Sequence, residues 1–169
     1  SEANAHPHKA GGVVVVHNGI IENYLSLKAA LTREGHTFKS ETDTEILSHL
    51  IQSNLFKGLS FEEAVRQALL QVQGSYAVAV LYEGAKDQVI AARKERPLIL
   101  GLGRGEHFVA SDIPAILPYT RKMIFLEDGE MAVLEKEAFR ISTLWGEERK
   151  RAPKNILWDP VTAEKGGYK

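Results

Sequence analysis

The sequence predicts an α+β domain, and three observations predict it. Residues 22–72 carry apolar side chains at helical spacing in three successive runs. Residues 74–143 then switch to short extended runs separated by Gly, Pro and Asp. One strongly β-prone run, at residues 13–17, precedes both. Helices gathered in one part of a chain and strands in another argue for helices covering an antiparallel sheet, not for alternating βαβ units.

Taken in order, Asn4-Ala5-His6-Pro7-His8 is polar and broken by proline, so it reads as loop, and Gly11-Gly12 as a turn. Val13-Val14-Val15-Val16-His17 does not alternate and reads as a strand buried on both faces. Asn18-Gly19 reads as the turn that ends it. Tyr24, Leu27 and Leu31 stand at helical spacing, with Gly35 to stop the helix. Ile46, Leu47, Leu50, Ile51 and Leu55 form a second stripe, for which Thr42 or Asp43 is the natural N-cap. Ser60, with Glu63 three residues on, is a capping box for a third helix.

The period changes at Gly74. Residues 74–82 read as a strongly apolar strand turned by Glu83-Gly84, with 88–93 as its hairpin partner. Residues 98–100, 107–110, 123–126, 130–134 and 139–143 read as further strands, and Ser111-Asp112 as the cap of a single helical turn. After Trp145 the pattern dissolves into charge, Pro and Gly, which reads as a linker to residue 169.

The 169 residues, 44% hydrophobic and 25% charged, suit one globular domain with a sizeable core. A net charge of −1 gives no electrostatic footprint for nucleic acid or an anionic membrane. No run approaches a membrane span, and the first residues lack a signal-peptide pattern, so the expected compartment is the cytoplasm. The absence of cysteine excludes a disulfide framework, a thiolate zinc site and a cysteine nucleophile within these residues.

Candidate sites carry two readings each. His6 and His8 have the spacing of a metal pair, but no carboxylate or cysteine follows at ligand spacing, and no metal or cofactor is expected. Gly101-Leu102-Gly103-Arg104-Gly105 resembles part of a dinucleotide fingerprint but precedes a strand, which favours a hairpin connection. Ser1 as an N-terminal nucleophile is outweighed by the polar loop that follows it. Asn18-Gly19 is either a plain turn or a pair of donors, side-chain amide and backbone N–H, for a developing oxyanion. Asp43 is either a helix cap or a carboxylate that holds a substrate ammonium.

Three stretches in combination resemble the glutaminase domain of the glutamine–fructose-6-phosphate aminotransferase family. They are Asn4-Ala5-His6-Pro7-His8, then Val14-Val15-Val16-His17-Asn18-Gly19-Ile20-Ile21-Glu22-Asn23, then Ser40-Glu41-Thr42-Asp43-Thr44-Glu45. Gly74-Ser75-Tyr76-Ala77, Ala91-Ala92-Arg93 with Pro97-Leu98, Ala110-Ser111-Asp112 and Phe125-Leu126-Glu127-Asp128-Gly129 continue the likeness over nearly the whole chain. The resemblance implies an N-terminal nucleophile hydrolase-type αββα sandwich of antiparallel sheets, incomplete here at its N-terminus. In the family an N-terminal cysteine attacks the glutamine side-chain amide, forms a thioester and releases ammonia to a separate sugar isomerase domain.

By the same resemblance Asn18 and Gly19 match the oxyanion-hole pair and Asp43 the carboxylate that binds the glutamine α-ammonium. The family's nucleophile segment and its Arg-Trp-Ala-Thr-His-Gly-type loop have no counterpart in these residues. The expectation is a partial type 2 glutamine amidotransferase domain at 1–144 and, at 145–169, a linker towards a missing sugar isomerase domain. Glutamine is the expected ligand, and a homodimer the expected state of the full-length enzyme. These 169 residues are expected to have no turnover alone and to expose apolar sheet surface. The alternatives are the glutaminase module of another amidotransferase, such as amidophosphoribosyltransferase, or a glutamine-binding domain without a nucleophile.

Overall fold

A computed structural model describes residues 8–157. Ser1, His6 and residues 158–169 lie outside the described residues. Strands β1 (His8–Ala10) and β2 (Val13–Ile21) form a hairpin about Gly11-Gly12. Helices α1 (Tyr24–Arg33), α2 (Asp43–Phe56) and α3 (Phe61–Leu70) follow. The remaining chain is β3 (Gly74–Tyr82), β4 (Val89–Lys94), β5 (Ile99–Leu102), β6 (His107–Ala110), the short helix α4 (Ile113–Ile116), β7 (Lys122–Phe125), β8 (Glu130–Leu134), β9 (Phe139–Thr143), β10 (Glu148–Arg149) and β11 (Lys154–Asn155).

The strands form two sheets of antiparallel neighbours, β1-β2-β3-β4-β8-β9-β10 and β11-β7-β5-β6. Three apolar clusters separate four layers. The largest joins α1–α3 to the seven-stranded sheet through residues such as Leu31, Ile46, Leu47, Val65, Val15, Val78 and Val80. A second lies between the sheets, around Leu100, Ile124, Ala91, Ala132 and Leu134. A third, with Ile99, Ile116, Leu117 and Met123, seats α4 on the outer face of the smaller sheet. The order is helix, sheet, sheet, helix, the αββα sandwich that the resemblance implies.

The capping box at α3 forms in part. Ser60 Oγ accepts from Glu63 N–H at 3.3 Å. The Glu63 carboxylate turns instead to Arg66, whose buried guanidinium also reaches Glu62 at 3.0 Å and Ser142 Oγ at 2.9 Å. That arginine therefore ties α3 to β9.

Three local readings of the sequence are corrected. Asn18-Gly19 is not a turn: β2 runs through both to Ile21, with Asn18 opposite Ala77 and Gly19 opposite Tyr76. The strand continues because its partner is β3, a nine-residue strand that arrives some fifty residues later and holds all nine positions in register. Nor is β2 buried on both faces. Val13, Val15 and His17 are buried against the helices, whereas Val16 is 50% and Ile20 58% exposed on the other face. The smaller sheet does not reach over β2, so Val16, Ile20 and Leu81 leave an apolar strip open there. The segment after Trp145 is also more structured than its composition indicates. β10 pairs with β9 and β11 with β7, so residues 148–155 are built into both sheets.

Candidate active site

Asp43 meets β2 at one junction of strand and helix, at Ile21, and Asn18 and Gly19 stand three and two residues before that point on the strand. Asn18 and Gly19 lie in the C-terminal half of β2, and Asp43 is the first residue of α2. The link is a hydrogen bond across 22 residues of sequence: Ile21 N–H donates to Asp43 Oδ2 at 2.9 Å. Asn18 is exposed, and Gly19 and Asp43, beside the junction, are half-buried. Behind it, Thr44 Oγ1 lies 3.4 Å from His17 Nδ1, both buried, so strand and helix are also joined from the core side.

Gly19 has φ +128°, far from ordinary strand values. A side chain is excluded there, because a Cβ would stand 2.2 Å from Ser75 O. The departure turns the peptide planes on either side of Gly19 away from regular pleat, and this is how a residue inside a ladder gains an unusual backbone direction. The sequence motif thus uses the conformational freedom of glycine, but within a strand and not at a turn.

The approach to Asp43 is held by Glu45, which sequence reasoning left without a role. Glu45 is 4% exposed. Its Oε2 accepts from Lys39 N–H at 2.8 Å, and its Oε1 from Ser40 N–H and Ser40 Oγ–H, both at 2.7 Å. Burial works against its charge. The Lys39, Ser40 and His49 hydrogen bonds outweigh that and hold its carboxyl below the usual range. The signal that points to Glu45 is the Thr42-x-x-Glu45 spacing, that of a capping box. At the other edge of the site Arg96 Nε lies 3.4 Å from Ser75 Oγ, on the residue opposite Ile20.

Two antiparallel sheets stacked between helices, with a polar cluster where a strand meets a helix N-terminus, have the architecture of N-terminal-nucleophile amidotransferases. The glutamine phosphoribosylpyrophosphate amidotransferase from B. subtilis matches it with a TM-score of 0.67 at 24% identity, over 89% of this chain and 32% of that one. The chain belongs to the glutamine amidotransferase domain family, whose model matches residues 1–118. Among curated relatives, the glutamine–fructose-6-phosphate aminotransferase (isomerizing) of Pyrococcus horikoshii is 48% identical over 171 residues, 99% of this chain and 29% of its own length. The enzyme of the same name from a strain of Thermus thermophilus is 48% identical over 170 residues, 99% of this chain and 28% of its own length. The chain therefore spans less than a third of the curated relatives it matches. Among the described residues no helix is long and apolar enough to cross a membrane.

Proposed function

We propose that this chain is the glutamine-hydrolysing part of a glutamine–fructose-6-phosphate aminotransferase. The observation that carries the reading is the 48% identity over 99% of the chain to enzymes of that name, against 24% to the phosphoribosylpyrophosphate enzyme that shares the fold. The glutaminase unit of residues 1–144 is extended by β10 and β11, and the residues beyond Asn155 lead towards a sugar isomerase domain. The full-length enzyme is a cytoplasmic homodimer.

In this reading the nucleophile is a cysteine thiolate supplied from outside these 169 residues, which contain none. The Asp43 carboxylate accepts hydrogen bonds from the glutamine α-ammonium, using the oxygen not engaged by Ile21. The thiolate adds to the side-chain amide carbon. Negative charge then develops on the amide oxygen and is met by the Asn18 side-chain N–H and the Gly19 backbone N–H. Collapse of the adduct, with the proton that the thiol gave up delivered to the leaving nitrogen, expels ammonia and leaves a glutamyl thioester. Water then hydrolyses the thioester to glutamate and restores the thiol.

The test is a chimera in which these residues replace their counterparts in the Pyrococcus horikoshii enzyme. The chimera is expected to hydrolyse glutamine, and the 169-residue chain alone is not. Asn18→Ala in the chimera is expected to lower kcat about 10²- to 10³-fold with KM little changed, because the donor acts on charge that exists only in the transition state. A folded chimera that hydrolyses no glutamine overturns the reading.

A further inference from the structure

We propose that Glu45 is a positioning residue for substrate binding: its buried carboxylate folds residues 39–42 into the turn that sets Asp43 against Ile21. The inference rests on the reading of Asp43 as the ammonium ligand.

With Thr42 at the N-cap, Glu45 stands at the third helical position, from which a glutamate reaches back to the N–H of the N-cap residue itself. Here it does not. Thr42 N–H is directed to Ser40 Oγ at 3.4 Å, and the Thr42 side chain makes no capping bond. The Glu45 carboxylate reaches past the helix end to the N–H groups of Lys39 and Ser40. It therefore fixes the chain that approaches the helix, not the helix terminus.

Ser40 carries the constraint onward. Its hydroxyl donates to Glu45 Oε1 and stands 3.1 Å from Thr42 Oγ1, so a continuous set of hydrogen bonds runs from Glu45 through Ser40 to Thr42, next to Asp43. The other flank is closed by aromatic rings. His49, one turn along α2, places Nε2 3.4 Å from Glu45 Oε2. The Phe38 ring packs on that imidazole at 4.6 Å, and His36 Nδ1 lies 2.8 Å from His49 Nδ1. Burial holds the His49 imidazole below its usual range, so it is neutral and serves as a hydrogen-bond donor. Residues 36–40 are thus wrapped around one carboxylate, and Asp43 lies at the exit of the wrap.

A residue that positions the ammonium ligand acts on binding more than on chemistry. Glu45→Gln puts an amide NH2 where a backbone N–H needs an acceptor. In the chimera, Glu45→Gln is expected to raise KM for glutamine about tenfold while kcat stays within about threefold. In the spectrum of the 169-residue chain, the Ile21 amide proton is expected to move upfield as its bond to Asp43 lengthens. Asp43→Asn combined with Glu45→Gln is expected to raise KM no further than Asp43→Asn alone, because both changes remove one function. Glu62→Gln, which breaks the Arg66 and Arg140 contacts on α3, is the comparison: it lowers thermal stability and leaves KM where it was. Should Glu45→Gln not fold, Ser40→Ala removes one of the four hydrogen bonds to Glu45, together with the link from Ser40 to Thr42, and carries the same measurements. An unchanged KM in a folded variant overturns the proposal, as does an additive double variant. If the unmodified chimera hydrolyses no glutamine, the functional reading fails, and the Ile21 amide then decides by itself whether Glu45 sets Asp43.

Discussion

Gly19→Ala is expected to destabilise the chain by about 3 kcal/mol or more and to abolish hydrolysis in the chimera. Two costs coincide at this residue. The backbone has φ +128°, which an L side chain rarely adopts. The new Cβ would also lie 2.2 Å from Ser75 O and 2.8 Å from both Ser75 C and Tyr76 Cα. Those atoms are backbone of the paired strand, so relief requires β2 and β3 to separate. They cannot separate freely, because Gly74 repeats the same close approach from the other side, its absent Cβ falling 2.1 Å from Ile20 O. The two glycines flank a single cross-strand pair, Ile20 opposite Ser75, and both strands are pinched there. Gly146→Ala isolates the backbone cost. Gly146 also has positive φ, +92°, but nothing lies within 4 Å of its would-be Cβ. Its replacement is expected to cost about 1 kcal/mol. Urea unfolding of the two variants at pH 7 measures the difference, and equal losses would refute the steric argument.

That pinch also explains what the sequence did and did not reveal. The helices were legible because their signal is local: the stripe from Ile46 to Leu55 and the Ser60 cap need no distant partner to be read. β3 was legible through its unbroken apolar run. Asn18-Gly19 was misread because turn chemistry is a local statement, whereas β2 is extended by a partner some fifty residues away. The one-sided burial of β2 was hidden for a different reason. Valine occupies both its core face and its open face, so no alternation shows. The short strands β10 and β11 have exposed, charged or polar residues and leave no periodic trace. At the site, Asn18, Gly19 and Asp43 were named from motif resemblance. The bond that joins Asp43 to β2 through Ile21 N–H is a tertiary fact that no spacing encodes.

Arg151→Ala carries the other large expected effect, about 3 kcal/mol of stability at pH 7. Arg151 follows β10, in the stretch whose composition reads as linker, yet its guanidinium grips Glu130 with both arms, at 2.5 and 2.7 Å. The Glu130 side chain is 3% exposed and also accepts from Glu127 N–H at 2.7 Å. Removing the arginine leaves a buried carboxylate without its cation, and the loss is dominated by that stranded charge. The pH dependence follows from the shift at Glu130. Burial opposes its ionisation, but the Arg151 hydrogen bonds, the Glu127 N–H and the nearby Arg149 hold its carboxyl below the ordinary 4.5. A depressed carboxyl stabilises the fold fully above its unfolded value and loses that contribution as pH falls through the folded value. The gap between wild type and Arg151→Ala is therefore expected to be widest above pH 4.5 and to narrow as the solution is made more acidic. Glu45 and Glu62 are depressed too and weaken both proteins in acid, so the difference between the two curves is the quantity to follow. Lys150→Ala tests the specificity of the argument. Its pair with Glu148 is exposed, at 92% and 64%, and its loss is expected to stay within about 0.5 kcal/mol at any pH. If Arg151→Ala behaves like Lys150→Ala, residues 145–157 contribute little to the sandwich despite their strands. If the gap appears and closes in acid, one ion pair anchors that segment to the sheet.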